Sequence, residues 1–303
     1  MRVATSVIEQ NVTEEARGRV ASDTLIITVQ YGNFADTAAL VASLARADDI
    51  AGCELAVVDN GNTGLSRADL ESLASSAPFS VHVLRPERNL YYWGGAAYAL
   101  ELLGKTRDRH YRWIIVCNND VVIEDPSFFR RLRSLDGTRY PIIAPSVISV
   151  DTGTDQNPLL AAPAGALKRL KWRIYDVDYR IAKSMLWTHG VVKTLTRPIA
   201  RALPSKSFQS TEKKIYASHG AFVILSADFF ERGGSLDTTI PIFAEELSLA
   251  ATAERLQMPI WYRPELRVLH RAHSTTGSRL TPAKYDLERR ARRHYYKLVA
   301  RSG

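Results

Sequence analysis

An α/β fold, with a mostly parallel central sheet flanked by helices, is predicted for this chain by three observations. Strand-like apolar runs alternate with segments of helical period, the pattern of βαβ units. Several of those runs stop abruptly on polar residues, most sharply at Trp113-Ile114-Ile115-Val116-Cys117-Asn118-Asn119-Asp120. With 46% hydrophobic and 24% charged residues over 303 positions, the chain also has enough apolar material for a substantial core.

Taken in order, the first strand spans Thr24 to Val29 and leads through Tyr31-Gly32-Asn33 into a helix with Leu40, Val41 and Leu44 on one face. Leu55 to Val58 forms the second, ending in Asp59-Asn60-Gly61-Asn62, and Val81 to Leu84 the third. An aromatic and glycine turn, Tyr91 to Gly95, then opens an Ala-rich helix, and the strand before Asp120 is the fourth. A short helix near Phe128 to Leu132 and a strand around Ile142 to Ile148 precede a long basic segment. Regular structure resumes with Gly220 to Leu225, helices near Ala227 to Arg232 and Ala244 to Leu256, strands near Ile260 and Val268, and a terminal amphipathic helix over about Pro282 to Ala300. The expected organisation is an N-terminal extension (1–21), one domain (22–280) and a C-terminal helix (281–303). Within the domain, 22–125 form a nucleotide-binding half and 126–280 an acceptor half with a basic helical insertion at 160–215.

Composition narrows the class. Cys53 and Cys117 lie in or beside apolar runs with no metal-knuckle spacing, which fits a reducing cytosol. Met1 to Asp23 is too polar for a signal peptide, and no run approaches the roughly 20 apolar residues of a membrane span. There is no G-x-G-x-x-G after the first strand and no G-x-x-x-x-G-K-[ST], which disfavours a dinucleotide dehydrogenase or a P-loop enzyme. The net charge of +8 sits in two places. Gly165 to Ala217 holds twelve basic residues against three acidic, and Gly277 to Gly303 eight against two, so the remainder is net acidic. Interleaved with Leu170, Trp172, Ile174 and Trp187, the first segment reads either as a solvated helix pair over the core or as a basic amphipathic surface for anionic lipid.

In an open α/β sheet, ligands bind beyond the carboxyl ends of the strands. Tyr31 offers a ring for a nucleobase, Asp59 an acceptor for a base N–H or ribose hydroxyl, and Asp120 a ligand for a hard cation bridging a diphosphate. Each also has a plain reading: a packed ring, a good Asx turn, a strand-end turn. Together they describe a nucleotide-diphosphate pocket.

The ordered set Thr28-x-x-Tyr31, Val57-Val58-Asp59-Asn60, Asn89 followed by Gly94-Gly95, Asn118-Asn119-Asp120-Val121, Gly220-Ala221-Phe222, Gly233-Gly234-Ser235-Leu236-Asp237, Phe243-Ala244-Glu245-Glu246 and His270 resembles a family 2 glycosyltransferase of the rhamnosyltransferase-like branch. The resemblance implies an A-type glycosyltransferase fold, a nucleotide-diphospho-sugar donor, Mg²⁺ or Mn²⁺, and inversion at the anomeric carbon. It sets Asn118-Asn119-Asp120 in the place of the family's D-x-D motif, with Asp120 and His270 as metal ligands. Asn118 there replaces a carboxylate, so more of the charge falls to Asp120. Thr28, Tyr31, Asp59, Asn89, Gly94, Gly95, Asn118, Asn119 and Gly220 become donor-site candidates, the glycines because they admit close backbone approach. His273-Ser274-Thr275 would belong to a closing loop.

Inversion by direct displacement needs a base for the acceptor hydroxyl. The resemblance places Glu246 there with Glu245 beside it, although Glu stands where relatives carry Asp, and the choice between the two stays open. Arg293 would either meet phosphate or lie on a solvated helical face. The expected enzyme moves a sugar from dTDP-rhamnose or a UDP-sugar to a polysaccharide or lipid-linked acceptor, in the cytoplasm or peripherally on the inner face of the plasma membrane. The competing readings are a related nucleotidyltransferase, a silent nucleotide-sugar-binding module, and a basic nucleic-acid or membrane binder.

Overall fold

The computed structural model describes residues 22–60, 67–104, 111–188, 211–271 and 280–302. One mixed sheet organises them. Strands β1 (Thr24–Gln30), β2 (Cys53–Asp59), β3 (Ser80–Leu84) and β4 (Trp113–Asn118) are mutually parallel, in the order β3-β2-β1-β4. Beyond β4 the sheet continues through β8 (Phe222–Ser226), β6 (Ile142–Ser149), β9 (Ile260–His270) and the short β5 (Val121–Val122). Strand β8 is antiparallel to both neighbours, β6 and β9 are parallel, and β7 (Lys213–Ile215) pairs antiparallel with β9.

Helices cover both faces, as runs buried on both sides require. Successive residues of a strand point to opposite faces. Ile26, Leu55, Val57, Ile115 and Cys117 therefore pack on one side against α1 (Phe34–Leu44), α2 (Arg67–Ser76) and α4 (Phe128–Arg133). Leu25, Ile27, Val29, Ala56, Val58 and Val116 pack on the other, against α3 (Tyr91–Gly104), α8 (Glu245–Arg255) and α9 (Pro282–Ser302). Each fully buried Leu or Ile contributes about 1.5–3 kcal/mol. Trp93 belongs to the second core, 2% exposed. The basic segment forms α5 (Ala166–Tyr175) and a helix over 179–188, labelled α6, while α7 (Ala227–Glu231) follows β8.

Three expectations are corrected. The aromatic and glycine turn is already helix, because Asn89 Oδ1 accepts from Tyr91 N at 2.7 Å and starts α3 there. Gly95 then lets α3 lie close on the sheet, since a Cβ on it would stand 3.1 Å from Val29 Cγ2. The two strands near Ile260 and Val268 are one strand, β9. Pro264 cannot donate to a ladder, and the pairing with β6 jumps from Pro145↔Arg263 to Ser146↔Arg267, a bulge that absorbs it. Helix α2 and strands β5 and β7 are additional elements, too short or too polar to announce themselves in the sequence.

The parallel register sets Gln30 beside Asp59 and Val29 beside Asn118. The loops after β1, β2 and β4 therefore leave the sheet along a single edge, where the crevice described next opens.

Candidate active site

A crevice of about 620 Å³ lies along that edge. Its walls include Tyr31, Asn60, Asn89, Tyr91 and Tyr92 on the β1–β3 side and Asn118, Asn119 and Asp120 after β4. His219 and Gly220 lead into β8, Phe243 to Glu246 start α8, His270 ends β9, and Lys284 comes from α9.

Asp120 and His270 meet through pairing of β5 with β9, which sets Val121 opposite His270. Arg271 N also donates to Asp120 O at 2.9 Å. Both side chains are buried, and His270 Nε2 stands 3.3 Å from Asp120 Oδ1. The other ring nitrogen, Nδ1, donates to Gln156 Oε1 at 2.7 Å. That bond orients the ring so that Nε2 faces a carboxylate oxygen that accepts no hydrogen bond among the described residues. A ring nitrogen and a carboxylate oxygen at this separation call for a proton or a cation between them. Ligands held cis at about 2.1 Å on an octahedral ion are about 3 Å apart, so the pair fits a hard divalent cation. No group of three or more His, Cys, Asp or Glu side chains suited to a metal exists among the described residues. A cation here would take its remaining ligands from substrate and water, as Mg²⁺ commonly does.

Asn119 supports that corner. Its Nδ2 lies within 3.1 Å of Gln30 Oε1, 3.1 Å of Thr37 Oγ1 and 3.3 Å of Asn33 O, and Gln30 in turn pairs with the Thr37 hydroxyl. The amide therefore ties the β4 turn to the start of α1. Asn60 does the same across the crevice, accepting from Leu90 N at 2.7 Å and donating to Tyr91 O at 2.8 Å.

Glu245 and Glu246 open α8 opposite. Phe243 and Ala244 before them are both left-handed, with φ of 68° and 61°, and Tyr91 at the start of α3 has φ 60°. Such residues cost on the order of 1–3 kcal/mol each and persist only where the surroundings enforce them; all three line the crevice. Burial, and then the charge of Glu246, push the Glu245 carboxyl up to about 8, and burial raises Glu246 as well. Glu246 Oε1 accepts from Gly220 N at 3.2 Å, while Gly220 O accepts from the Tyr92 hydroxyl at 2.9 Å. Burial, helped by the neighbouring His270, pushes His219 down to about 4, leaving its ring neutral.

Of the residues expected from the sequence, Tyr31, Asn89, Asn118, Asn119, Gly220, Glu245, Glu246, Asp120 and His270 all line this one crevice. Thr28, Asp59, Gly94 and Gly95 do not. Thr28 is fully buried within β1; Asp59 is buried and paired with Arg85 Nε at 3.0 Å; Gly94 and Gly95 lie inside α3. Arg293 is exposed, on the solvated face, and the α9 cation at the crevice is Lys284. Asn60, Tyr91, His219, Phe243 and Lys284 line the crevice too, though none was expected as a site residue; Asn60 and Phe243 stood in the ordered motifs and Tyr91 in the aromatic turn, while His219 and Lys284 carried no signal. His273-Ser274-Thr275 lie outside the described residues.

The topology of this sheet, with a polar crevice on the carboxyl edge of its parallel strands, is that of the A-type glycosyltransferase fold. Residues 25–194 match the model of Glycosyl transferase family 2, over half of the chain, and the chain belongs to that family. It is a glycosyltransferase. The fold is shared with Staphylococcus aureus TarS 1-349 in complex with UDP (TM-score 0.56, 11% identity, 92% of this chain and 65% of that one). It is shared as well with GalNAc-T7 with UDP, GalNAc and Mn²⁺ (TM-score 0.54, 12% identity, 89% and 48%). The chain thus spans about two thirds and about half of those two. No curated protein matches the sequence.

Proposed function

We propose that this glycosyltransferase moves a sugar from a nucleotide-diphospho-sugar to an acceptor hydroxyl with inversion, aided by a divalent cation. The observation that carries the reading is the meeting, in one crevice, of an Asp120–His270 pair fitted to a cation with the high-pKa carboxylates Glu245 and Glu246. TarS and GalNAc-T7 are both described with UDP, and the latter with Mn²⁺, which supports the same donor chemistry here.

In this reading Tyr31 and Tyr91, at the rim, flank the nucleoside, and Asp120 with His270 would hold Mg²⁺ or Mn²⁺. Bound there, such a cation would supply positive charge to offset that growing on the leaving diphosphate. Glu246 takes the acceptor hydroxyl proton as that oxygen bonds to the anomeric carbon and the carbon–phosphate-oxygen bond breaks. Glu245, held high in pKa, keeps a proton near neutral pH and spares Glu246 a second adjacent charge. Gly220 N steadies Glu246. Lys284 supplies positive charge at the crevice wall. Thr28, Asp59, Gly94 and Gly95 then act from behind the wall by shaping the loops.

The finer reading follows the rhamnosyltransferase-like motif set: dTDP-rhamnose or a UDP-sugar as donor, a polysaccharide or lipid-linked acceptor, and peripheral attachment to the inner face of the plasma membrane. A thermal-shift panel of nucleotide-sugars with Mn²⁺ and with EDTA tests the core of it. Stabilisation by a diphospho-sugar should need the ion and vanish in Asp120→Ala; metal-independent stabilisation of that variant would remove the cation from the proposal.

A further inference from the structure

Among the described residues, eleven large hydrophobic side chains are exposed, and seven of them lie between positions 167 and 187. Leu167 is 81% exposed and Trp187 71%; with them are Leu170, Ile174, Val177, Ile181 and Leu186. A stretch this apolar at the surface calls for a partner.

The inner faces of α5 and α6 are already committed. Trp172 meets the Tyr295 ring edge-on at 6.4 Å, and the Tyr175 hydroxyl donates to Glu288 at 2.9 Å. Arg292 Nε donates to Asp176 Oδ1 at 2.8 Å, and the Tyr179 hydroxyl to Leu280 O at 3.1 Å. These contacts fasten both helices to α9 and the residues preceding it, and fix which side of each faces away. At 100° per residue, Leu167, Leu170 and Ile174 form one stripe on α5, opposed to Trp172 and bordered by Lys171 on one flank and Arg173 on the other, with Arg169 beyond Arg173. On α6, Trp187 lies on the same face as Arg180 and Lys183, all exposed. An apolar stripe with basic flanks suits the boundary between headgroups and acyl chains: the aliphatics and Trp187 enter it, while the Lys and Arg stems extend to anionic headgroups. No helix among the described residues is long and apolar enough to cross a membrane, so this surface would lie on the bilayer.

We infer that the outer surface of α5 and α6 docks the protein onto an anionic phospholipid bilayer. The inference rests on the membrane attachment within the proposed function and gives it a surface. It also orients the enzyme. A second cavity, of about 420 Å³, is walled by Trp172, Met185 and Leu186 of these helices and shares Lys284 with the catalytic crevice. The cavity beneath the docked helices and the catalytic crevice thus meet at one side chain of α9, on the side of α5 opposite the docked stripe.

Sedimentation of the full chain with phosphatidylcholine vesicles, with and without phosphatidylglycerol, tests this. Binding should require the anionic lipid and weaken with salt. Each basic charge near such a surface changes partitioning about fivefold, so Arg169→Glu with Arg173→Glu should lower it by roughly a hundredfold or more. Leu167→Ser with Leu170→Ser should lower it while leaving the charge untouched. Both double variants alter exposed side chains only, so their circular dichroism and donor hydrolysis without vesicles should match the parent. Equal partitioning of parent and variants, or of neutral and anionic vesicles, would overturn the inference. So would a parent dimer that the Leu variants dissolve. Absent donor hydrolysis with intact vesicle binding would count against the transfer reaction and not against the surface.

Discussion

His270 and Asp120 face each other across 3.3 Å, with the imidazole held in that orientation by the bond between its other nitrogen and Gln156 Oε1. Removing an outer hydrogen-bond partner of a metal-binding imidazole usually weakens metal affinity about 10- to 100-fold. Gln156→Ala is expected to do that for Mn²⁺ measured calorimetrically in the presence of UDP. Its loss of fold stability should stay near the 0.5–1.5 kcal/mol of a typical hydrogen bond. An unchanged Mn²⁺ affinity would mean that His270 is not a ligand.

Gly220→Ala isolates the position of the carboxylate from the fold. A Cβ there would stand 2.7 Å from Glu246 Oε1 and 3.1 Å from its Cδ, the mobile end of a side chain. Glu246 should rotate away while the backbone stays. The expected variant retains donor-dependent thermal stabilisation and a nearly parental Tm but loses at least about tenfold in kcat, the order of a displaced general base. Full activity would show that Glu246 need not occupy its present position.

The raised carboxylates fix the sign of two pH dependences. A carboxyl whose folded pKa lies above its unfolded value binds more protons folded than unfolded between the two, so stability falls as pH rises through that window. For Glu245 the window runs from its ordinary 4.5 to about 8. Glu245→Gln should therefore flatten the decline and stand at least about 1 kcal/mol above the parent at alkaline pH, as read by urea unfolding at several pH values. Activity should move the opposite way, rising with pH as the pair loses protons and a base becomes available. A variant whose stability declines with pH as steeply as the parent's would place the titration elsewhere.

Asn119 tests whether the turn before the cation site is held by its amide. Asn119→Ala strips a donor from Gln30, Thr37 and Asn33 O, but the Thr37 hydroxyl still serves Gln30 Oε1 and Asn33 is exposed, so the expected loss is the roughly 0.5–1.5 kcal/mol of a typical hydrogen bond. Urea unfolding should register that loss together with a raised KM for donor, since Asp120 is the next residue. A loss of stability with unchanged KM would confine Asn119 to the fold.

The parallel half of the sheet was legible because burial on both faces leaves continuous apolar runs, and because strands of this kind end where polar side chains begin, as at Asn118 and Asp59. The ordered motifs likewise pointed to Asp120, His270, Glu245 and Glu246, all of which line one crevice. Other features were not legible. Bulging let β9 run through Pro264, capping by Asn89 moved the start of α3, and β7 is too short to carry a period.

The one-dimensional chain therefore determined the class of fold, the family and the chemical types at the site, since periodicity and residue chemistry are local properties. Only the tertiary structure decided which candidates reach the cavity. It withdrew Thr28 and Asp59 into the sheet, brought Lys284 from the far end of the chain, and oriented the His270 ring through Gln156. The physical reason is that a side chain's partners are set by packing between segments distant in sequence, and packing selects one face of each element whatever the residue there could do.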